Sequence, residues 1–127
     1  MSYAILLEGT VVIKVGLDTP ALMMPFQFKV DLEGELVRHL GAVEVYVPQI
    51  CLEELKRIDD RKAKGALQLA KRFKILPSQG KGDEAVLNLA TELHAVLVTN
   101  DAELRRRAKS KGLRVAYLRG KDKLEVD

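Results

Sequence analysis

The stretch GDEAVLNLATELHAVLVTNDAELRRRAKSKGLRVAYL, residues 82–118, decides the fold. Residues 82–95 predict a helix, and the apolar run that follows them is typical of a buried strand. Residues 101–112 predict a second helix, and residues 113–118 predict another strand. Helices that alternate with short apolar strands favour βαβ units, in which helices cover both faces of a parallel sheet.

The same alternation runs through the first part of the chain. Residues 10–17 and 43–47 predict strands, and residues 31–41 predict a helix that ends at Gly41, a common helix stop. Pro48 suits the first turn of the next helix, which continues through residue 73 after a break near Asp60. Residues 74–78 predict a short strand or an extended loop. We therefore predict an α/β protein with three α/β/α layers and a central, mainly parallel sheet.

The length of 127 residues fits one domain, which we place at residues 11–120. Residues 1–10 are expected to form an N-terminal extension or an edge strand. Residues 121–127 are expected to form a C-terminal tail, although the final stretch RGKDKLEVD also fits an extra edge strand.

Composition excludes several classes of protein. No run of about 18 apolar residues is present, which argues against a transmembrane helix and a membrane partner. The first residues lack the early basic cluster of a signal peptide, so we expect a cytoplasmic protein. The single cysteine, Cys51, excludes an intramolecular disulfide and a cysteine-based zinc site. His39 and His94 lie in separate segments and lack the spacing of metal ligands.

Two predicted strands end in an aspartate. The first strand runs into Asp18, and a later one runs into Thr99, Asn100 and Asp101. In open parallel sheets, ligands collect in a crevice at the carboxyl ends of the strands. Carboxylates at two equivalent ends therefore indicate a common site. The alternative for the later group is a helix cap, since all three residues accept hydrogen bonds from backbone N–H groups at helix starts.

Two further acids stand where apolar residues are expected. Glu54 shares a helix face with Cys51 and Ile58, whereas its neighbour Glu53 lies on a solvated, charged face. Asp83 lies on the apolar stripe of its helix, and the alternative interpretation is an N-terminal cap of that helix.

Four carboxylates in one site would repel one another and raise their own pKa values, so the cluster needs a cation. All-oxygen ligands favour Mg²⁺ or Mn²⁺. Such a site usually performs phosphoryl transfer or phosphodiester hydrolysis, in which the metal activates water and stabilises the leaving oxygen. A serine triad is not expected, because no serine stands in the sequence of a nucleophile elbow.

Three segments, in the order in which they follow one another along the chain, resemble the PIN-domain nucleases, particularly the small archaeal ones. They are IKVGLDTPALMMPFQFKVDL (13–32), VYVPQICLEELKRI (45–58) and GKGDEAVLNLATELHAVLVTNDAELRRRAKSKGLRVAYL (80–118). The resemblance covers roughly residues 11–120. It implies a PIN-like three-layer α/β/α fold and metal-dependent cleavage of RNA.

The resemblance also assigns residues to the site. The acids that it implies as catalytic and metal-binding are Asp18, Glu54, Asp83 and Asp101. The residues that it implies as supporting the site are Thr19, Thr99 and Asn100.

Pro20 departs from the family's first motif, which usually has Asn or Ser at this place, as in Asp-Thr-Asn. Proline offers neither a side-chain hydrogen bond nor an N–H group. It is also expected to restrict Thr19 to an extended geometry. The departure leaves the carboxylates in place but removes one contact that would orient the site.

Basic residues suit a polyanion as the partner. Residues 101–121 contain eight lysines and arginines against two acids. The candidates for binding RNA phosphates are Arg105, Arg106, Arg107 and Lys109. The alternative is that this run is a solvated helix face. The stretch MMPFQF, residues 23–28, is expected to be a core contact or a homodimer contact.

Three functions are consistent with these patterns. The first is a metal-dependent ribonuclease, acting in RNA processing with a ribosome-processing partner or as the toxin of a pair with an antitoxin. The second is a non-catalytic PIN-like RNA-binding or scaffold protein, which Pro20 makes plausible. The third is a phosphoacceptor receiver domain, but the stretch KVGLDTP lacks the acidic pair that this class carries after its first strand.

Overall fold

The computed structural model describes residues 4–7, 10–77 and 80–127. Strands and helices alternate through most of these ranges, as the sequence predicted. The strands are β1 (Ala4–Leu7), β2 (Thr10–Leu17), β3 (Val43–Pro48), β4 (Lys74–Leu76), β5 (Val96–Val98), β6 (Val115–Arg119) and β7 (Lys123–Val126). The helices are α1 (Thr19–Gln27), α2 (Leu32–Leu40), α3 (Gln49–Arg57), α4 (Arg61–Ala70), α5 (Asp83–Leu93) and α6 (Ala102–Ser110).

The strands form one mainly parallel sheet in the order β4-β3-β2-β5-β6-β7. The four pairings among β4, β3, β2, β5 and β6 are parallel, and β7 pairs antiparallel with β6. β1 pairs antiparallel with the first half of β2, from Thr10 to Ile13. β2 and β5 are therefore neighbours at the centre, and their carboxyl ends meet at one edge of the sheet.

Helices cover both faces of this sheet because residues on each central strand alternate between two apolar cores. On β5, Val96 and Val98 pack into the core beneath α1, α2, α3 and α4, whereas Leu97 packs into the core beneath α5 and α6. The prediction of a three-layer α/β/α fold with a central, mainly parallel sheet is confirmed.

Helix α1 was not predicted, because Pro20 and Pro25 lie in its sequence. Pro20 falls in the first turn, where a backbone N–H has no partner within the helix and its loss costs little. The expectation that Pro20 holds Thr19 extended was wrong. Thr19 is the first residue of α1, and the extended residue is Asp18, whose side chain caps the helix.

The break predicted near Asp60 is confirmed, since α3 ends at Arg57 and Asp60 caps α4 by accepting the Lys62 N–H at 2.7 Å. The stretch at residues 74–78, which the sequence left as a strand or a loop, contains β4. Residues 78 and 79 lie outside the described ranges.

Both ends of the described chain join the sheet. Residues 4–7 form β1, and residues 123–126 form β7 instead of a separate tail. β7 is held because Leu124 is buried and because α2 satisfies its outer edge. The Leu124 N–H donates to Glu35 at 2.8 Å, and His39 Nε2 contacts the Leu124 carbonyl at 2.7 Å. None of the helices in these ranges is long and apolar enough to cross a bilayer.

Candidate active site

Asp18 and Asp101 stand at the carboxyl ends of two neighbouring parallel strands. Leu17 of β2 lies in register with Val98 of β5, so Asp18 and Thr99 follow at the same level of the sheet. Asp18 then begins α1 and Asp101 begins α6. The crevice that the sequence predicted at this edge is therefore built by two strand-to-helix junctions side by side.

Three of the four predicted acids line one small cavity. The cavity has a volume of about 40 Å³, and its acidic lining residues are Asp18, Glu54 and Asp83. Asp101 does not line it, but its negative charge contributes to the raised pKa of Asp18, as does the charge of Asp83. The cluster thus draws on β2, α3, α5 and the start of α6.

Asp18 is the buried member of the cluster, with 7% of its surface exposed. Its pKa is raised from 3.8 to about 6, mainly by burial, with smaller contributions from the charges of Asp83 and Asp101. Hydrogen bonds from the Thr99 side chain and from the Ala21 N–H, the latter at 2.7 Å, act in the opposite direction. The repulsion expected among clustered acids is therefore present at Asp18.

Thr99 and Asn100 have different roles in the structure. The fully buried Thr99 hydroxyl hydrogen-bonds to Asp18 and accepts the N–H of Asp101 at 3.2 Å. The side-chain oxygen of Asn100 instead accepts the Leu118 N–H at 2.7 Å, which ties this loop to β6. Thr99 therefore orients the acids directly, whereas Asn100 fixes the loop that carries Asp101.

Helix capping, the alternative role of both acids, is observed for Asp101 but not for Asp83. Asp101 does cap α6, because its Oδ1 accepts the N–H groups of Glu103 at 2.9 Å and Leu104 at 3.1 Å. Asp83 is the first residue of α5, and the preceding Gly82 occupies the cap position without a side-chain bond. Gly82 adopts φ +53°, a conformation that favours glycine. Capping therefore accounts in part for Asp101 and not for Asp83.

Glu54 lies half-buried on α3, whereas Glu53 is exposed, as their spacing predicted. Cys51, one turn earlier on the same helix, also lines the cavity and is 2% exposed. The pKa of its thiol is raised to about 11, mainly by burial and in smaller part by the charges of Glu54 and Asp18. Sequence reasoning missed Cys51 as a cavity residue, although its three-residue spacing from Glu54 gives the signal.

Thr19 and Pro20 complete the cavity wall beside Asp18. Thr19 is 8% exposed, and its Oγ1 makes no hydrogen bond of normal length within the described ranges. Its hydroxyl interacts with the Cys51 thiol, whose pKa it lowers. A buried hydroxyl without a full partner is costly in a folded protein, and such groups often mark a place where water or an ion binds.

The four basic residues proposed for RNA contact all interact with other parts of the chain. Arg105 donates to the Thr99 carbonyl at 3.2 Å and stacks on the Tyr117 ring, 4.3 Å from its centroid. The other three candidates form ion pairs: Arg106 with Glu103, Arg107 with Glu84, and Lys109 with Asp127.

Comparison with known proteins places this architecture in a family. The model of the PIN like domain matches residues 15–121, which is most of the chain. The chain belongs to the PIN-like domain family. The match spans Asp18, Glu54, Asp83 and Asp101, so the whole acidic cluster lies within the family domain.

Two archaeal relatives align with this PIN-like domain over most of their length. Ribonuclease VapC9 of Archaeoglobus fulgidus is 29% identical over 117 residues, which covers 87% of this chain and 86% of the relative. Ribonuclease VapC4 of Methanocaldococcus jannaschii is 31% identical over 125 residues, which covers 89% of this chain and 95% of the relative.

Solved structures share the fold. The PIN domain endonuclease Utp24 superposes with a TM-score of 0.77 at 25% identity, covering 90% of both chains. A PilT N-terminus domain protein from Sulfolobus solfataricus superposes with a TM-score of 0.50 at 14% identity, covering 83% of this chain and 87% of that one. The first of these likenesses extends to sequence, and the second concerns the fold alone.

The site of this PIN-like domain fits a hard divalent cation by its chemistry. Carboxylate oxygens are the donors that Mg²⁺ and Mn²⁺ prefer, and the cavity of about 40 Å³ has room for an ion or a water molecule. Within the described residues, no three acidic, histidine or cysteine side chains already form a chelating group. The acids that would hold an ion in this cavity are Asp18, Glu54 and Asp83.

Proposed function

We propose that this PIN-like domain is a metal-dependent ribonuclease that hydrolyses phosphodiester bonds of RNA at the carboxylate cluster. One observation carries the proposal. Asp18, Glu54 and Asp83 line a single cavity, and the charges of Asp83 and Asp101 help to raise the pKa of the buried Asp18 carboxyl. Like charges gathered at a ligand-binding edge are stabilised by a cation.

The relatives support the same activity. Two proteins that align over most of this chain bear the name ribonuclease, and the structure with the TM-score of 0.77 is a PIN domain endonuclease. These names describe those proteins, and their agreement with the acidic cavity supports RNA as the substrate here.

The acids of the cluster and the groups around them have different roles. Asp18, Glu54, Asp83 and Asp101 would hold Mg²⁺ or Mn²⁺, directly or through water. When bound, such an ion supplies an activated water nucleophile and offsets the charge that develops on the leaving oxygen. Thr99 and the Ala21 N–H hold the Asp18 carboxylate in one orientation, and the cap bonds to Glu103 and Leu104 do the same for Asp101.

The biological setting has two forms within this proposal. One is RNA processing, with a ribosome-processing partner. The other is a toxin that an antitoxin neutralises, and a gene for a small antitoxin immediately upstream would favour it. Both forms use the same site.

A second candidate is a non-catalytic PIN-like RNA-binding or scaffold protein. The observation that favours it is Pro20, which lines the cavity where the family's first motif usually places a hydrogen-bonding side chain. Binding of RNA and Mn²⁺ without cleavage would support this second candidate.

The proposal is tested by cleavage of a mixed RNA pool in Mn²⁺ and in EDTA. We expect wild type to cleave only in Mn²⁺, and Asp83→Asn to lose activity by orders of magnitude. Glu84→Gln is the matched control, because Glu84 is the adjacent exposed acid and pairs with Arg107. Equal cleavage by wild type and Asp83→Asn would reject the carboxylate cluster as the active site.

A further inference from the structure

We infer that a second, basic cleft beside β7 binds the phosphate backbone of the RNA substrate at a distance from the acidic cavity. The inference rests on the proposed function for the identity of the substrate. The basic cleft is lined by Arg38, His39, Arg119, Lys123, Leu124, Glu125 and Val126.

The basic cleft lies between the last turn of α2 and the β6–β7 hairpin. It has a volume of about 560 Å³, far larger than the acidic cavity. Its polar wall carries Arg38, His39, Arg119 and Lys123, against the single carboxylate of Glu125. A concave surface with this excess of positive charge suits a polyanion.

Arg119 and Lys123 are the cations of the basic cleft that remain available to a ligand. Arg38 pairs with Glu35 and Arg119 pairs with Glu125, but the two arginine side chains are 56% and 72% exposed. Exposed ion pairs such as Arg119–Glu125 contribute little. Arg38 is held more firmly, because it makes two hydrogen bonds to Glu35, whose side chain is only 13% exposed. Lys123 makes no ion pair with any of the residues that the structure describes. Lys123 is therefore the residue on which the inference is tested.

One end of the basic cleft, formed by Arg119 and Lys123, lies at the same edge of the sheet as the acidic cavity. Leu17 aligns with Val98, and Val98 aligns with Ala116, so Asp18 is level with Tyr117 two strands away. Arg119 lies two residues beyond Tyr117, toward the carboxyl edge. Lys123 pairs with Arg119 on the next strand. With strands about 5 Å apart, Arg119 and Lys123 lie about 10 and 15 Å to the side of Asp18.

This spacing suits a chain molecule better than a small ligand. A strand whose phosphodiester bond lies at Asp18 can extend sideways across the carboxyl edge, past Arg119 and Lys123. Arginine and lysine there would contact phosphates without reading the bases, which positions the strand and adds affinity. The Asn100 side chain, bonded to Leu118, joins the loop of Asp101 to the strand that carries Arg119.

The test is the binding of a fluorescent 20-nucleotide single-stranded RNA to the metal-free full chain in EDTA, over a range of salt concentrations. We expect Lys123→Ala to lower the log–log salt slope by about 0.7, which corresponds to about fivefold weaker binding at 0.1 M salt. Arg119→Gln should act in the same direction. Lys64→Ala, which removes an exposed lysine on α4, is the matched control and should leave the slope unchanged.

Three results would overturn the inference. In the first, Lys123→Ala and Arg119→Gln bind RNA as Lys64→Ala does. In the second, Arg106→Ala on α6 lowers the slope and the cleft variants do not. In the third, Lys123→Ala weakens binding of a decaglutamate peptide but not of RNA, which would assign the cleft to an acidic protein segment.

Cleavage by the same proteins in Mn²⁺ separates this inference from the proposed function. If wild type does not cleave but the salt slope still depends on Lys123, the function is wrong and the RNA cleft stands. If wild type cleaves and the slope does not depend on Lys123, the function stands and the cleft is rejected.

Discussion

The hydroxyl of Thr99 accepts a hydrogen bond from the backbone N–H of Asp101 at 3.2 Å. The same hydroxyl hydrogen-bonds to the buried carboxyl of Asp18. One buried side chain therefore links the two acids that stand at the ends of β2 and β5. The hydroxyl thus connects strand ends that belong to different parts of the sequence and that the pairing of β2 with β5 brings together.

Replacement of Thr99 by valine tests this link. Thr99→Val keeps the shape of the side chain but removes the bond that lowers the pKa of Asp18, so that pKa should rise above about 6. The free energy of unfolding should fall by about 1–3 kcal/mol, because buried polar groups lose their partner. Carboxyl NMR titration and chemical denaturation in EDTA measure the two effects.

Thr91→Val is the matched control for this change. The Thr91 hydroxyl donates to the Leu87 carbonyl at 2.7 Å within α5, away from the acids. If the pKa of Asp18 is the same in Thr99→Val as in Thr91→Val and wild type, the Thr99 hydroxyl does not act on Asp18.

The raised pKa of Asp18 sets a direction for stability against pH. Between about pH 4 and 6 the carboxyl is ionised in the unfolded chain and protonated in the folded one, so folding takes up a proton. Stability without metal should therefore fall as pH rises through this window and level off above about pH 6. The difference between 3.8 and about 6 corresponds to about 3 kcal/mol.

Asp18→Asn should remove this pH dependence, because the amide does not titrate. The measurement is the free energy of unfolding in EDTA from pH 4 to 7 for both proteins, with the difference between them taken at each pH. Contributions of the other carboxyls, Glu35 among them, cancel in that difference. A difference that stays constant across the range would show that Asp18 titrates normally.

Asp101→Asn separates the cap from the catalytic role. The amide oxygen can still accept the N–H groups of Glu103 and Leu104, and the lost helix-start charge is offset by reduced repulsion of Asp18. Unfolding in EDTA should stay within about 1 kcal/mol of wild type. RNA cleavage in Mn²⁺ should fall by orders of magnitude.

Asp31→Asn is the control for Asp101→Asn, since Asp31 caps α2 through the Gly34 N–H at 3.1 Å. It should leave both stability and cleavage nearly unchanged. Equal cleavage by the two variants would reduce Asp101 to a helix cap.

Pro20→Asn tests the departure in the first motif. Residue 20 is exposed in the first turn of α1 and lines the acidic cavity, so an asparagine amide has room to hydrogen-bond at its rim. We expect cleavage to rise, with stability lower by about 0.4–1 kcal/mol because the unfolded chain gains freedom. Single-turnover cleavage in Mn²⁺ measures the effect, and a fall in rate would show that proline is the better residue here.

The order of strands and helices followed from local patterns, but α1 did not. Residues 10–17 and 96–98 carry apolar runs that fix buried strands, and Gly41 ends α2 as expected. Helix α1 was not predicted because Pro25 interrupts the usual helical pattern. The stability of α1 comes from its packing on α4 and from the Asp18 cap. Such contacts join residues distant in sequence and leave no periodic signal.

The acidic side chains could be selected from sequence because each stands out against its surroundings. Glu54 and Asp83 interrupt apolar faces, and Asp18 and Asp101 follow buried strands. The basic residues could not be sorted in the same way, because their role depends on partners far along the chain. Arg107 is paired across 23 residues, whereas Lys123 lines a cleft with residues of α2.

Binding of Mn²⁺ tests most directly the claim that the four acids form one metal site. Isothermal titration should show one or two ions bound by wild type and a large loss of binding in Asp18→Asn/Asp101→Asn. The control is Glu53→Gln/Glu84→Gln, which removes two exposed acids adjacent to the cluster and should bind as wild type does. Equal Mn²⁺ binding by wild type and Asp18→Asn/Asp101→Asn would contradict the account.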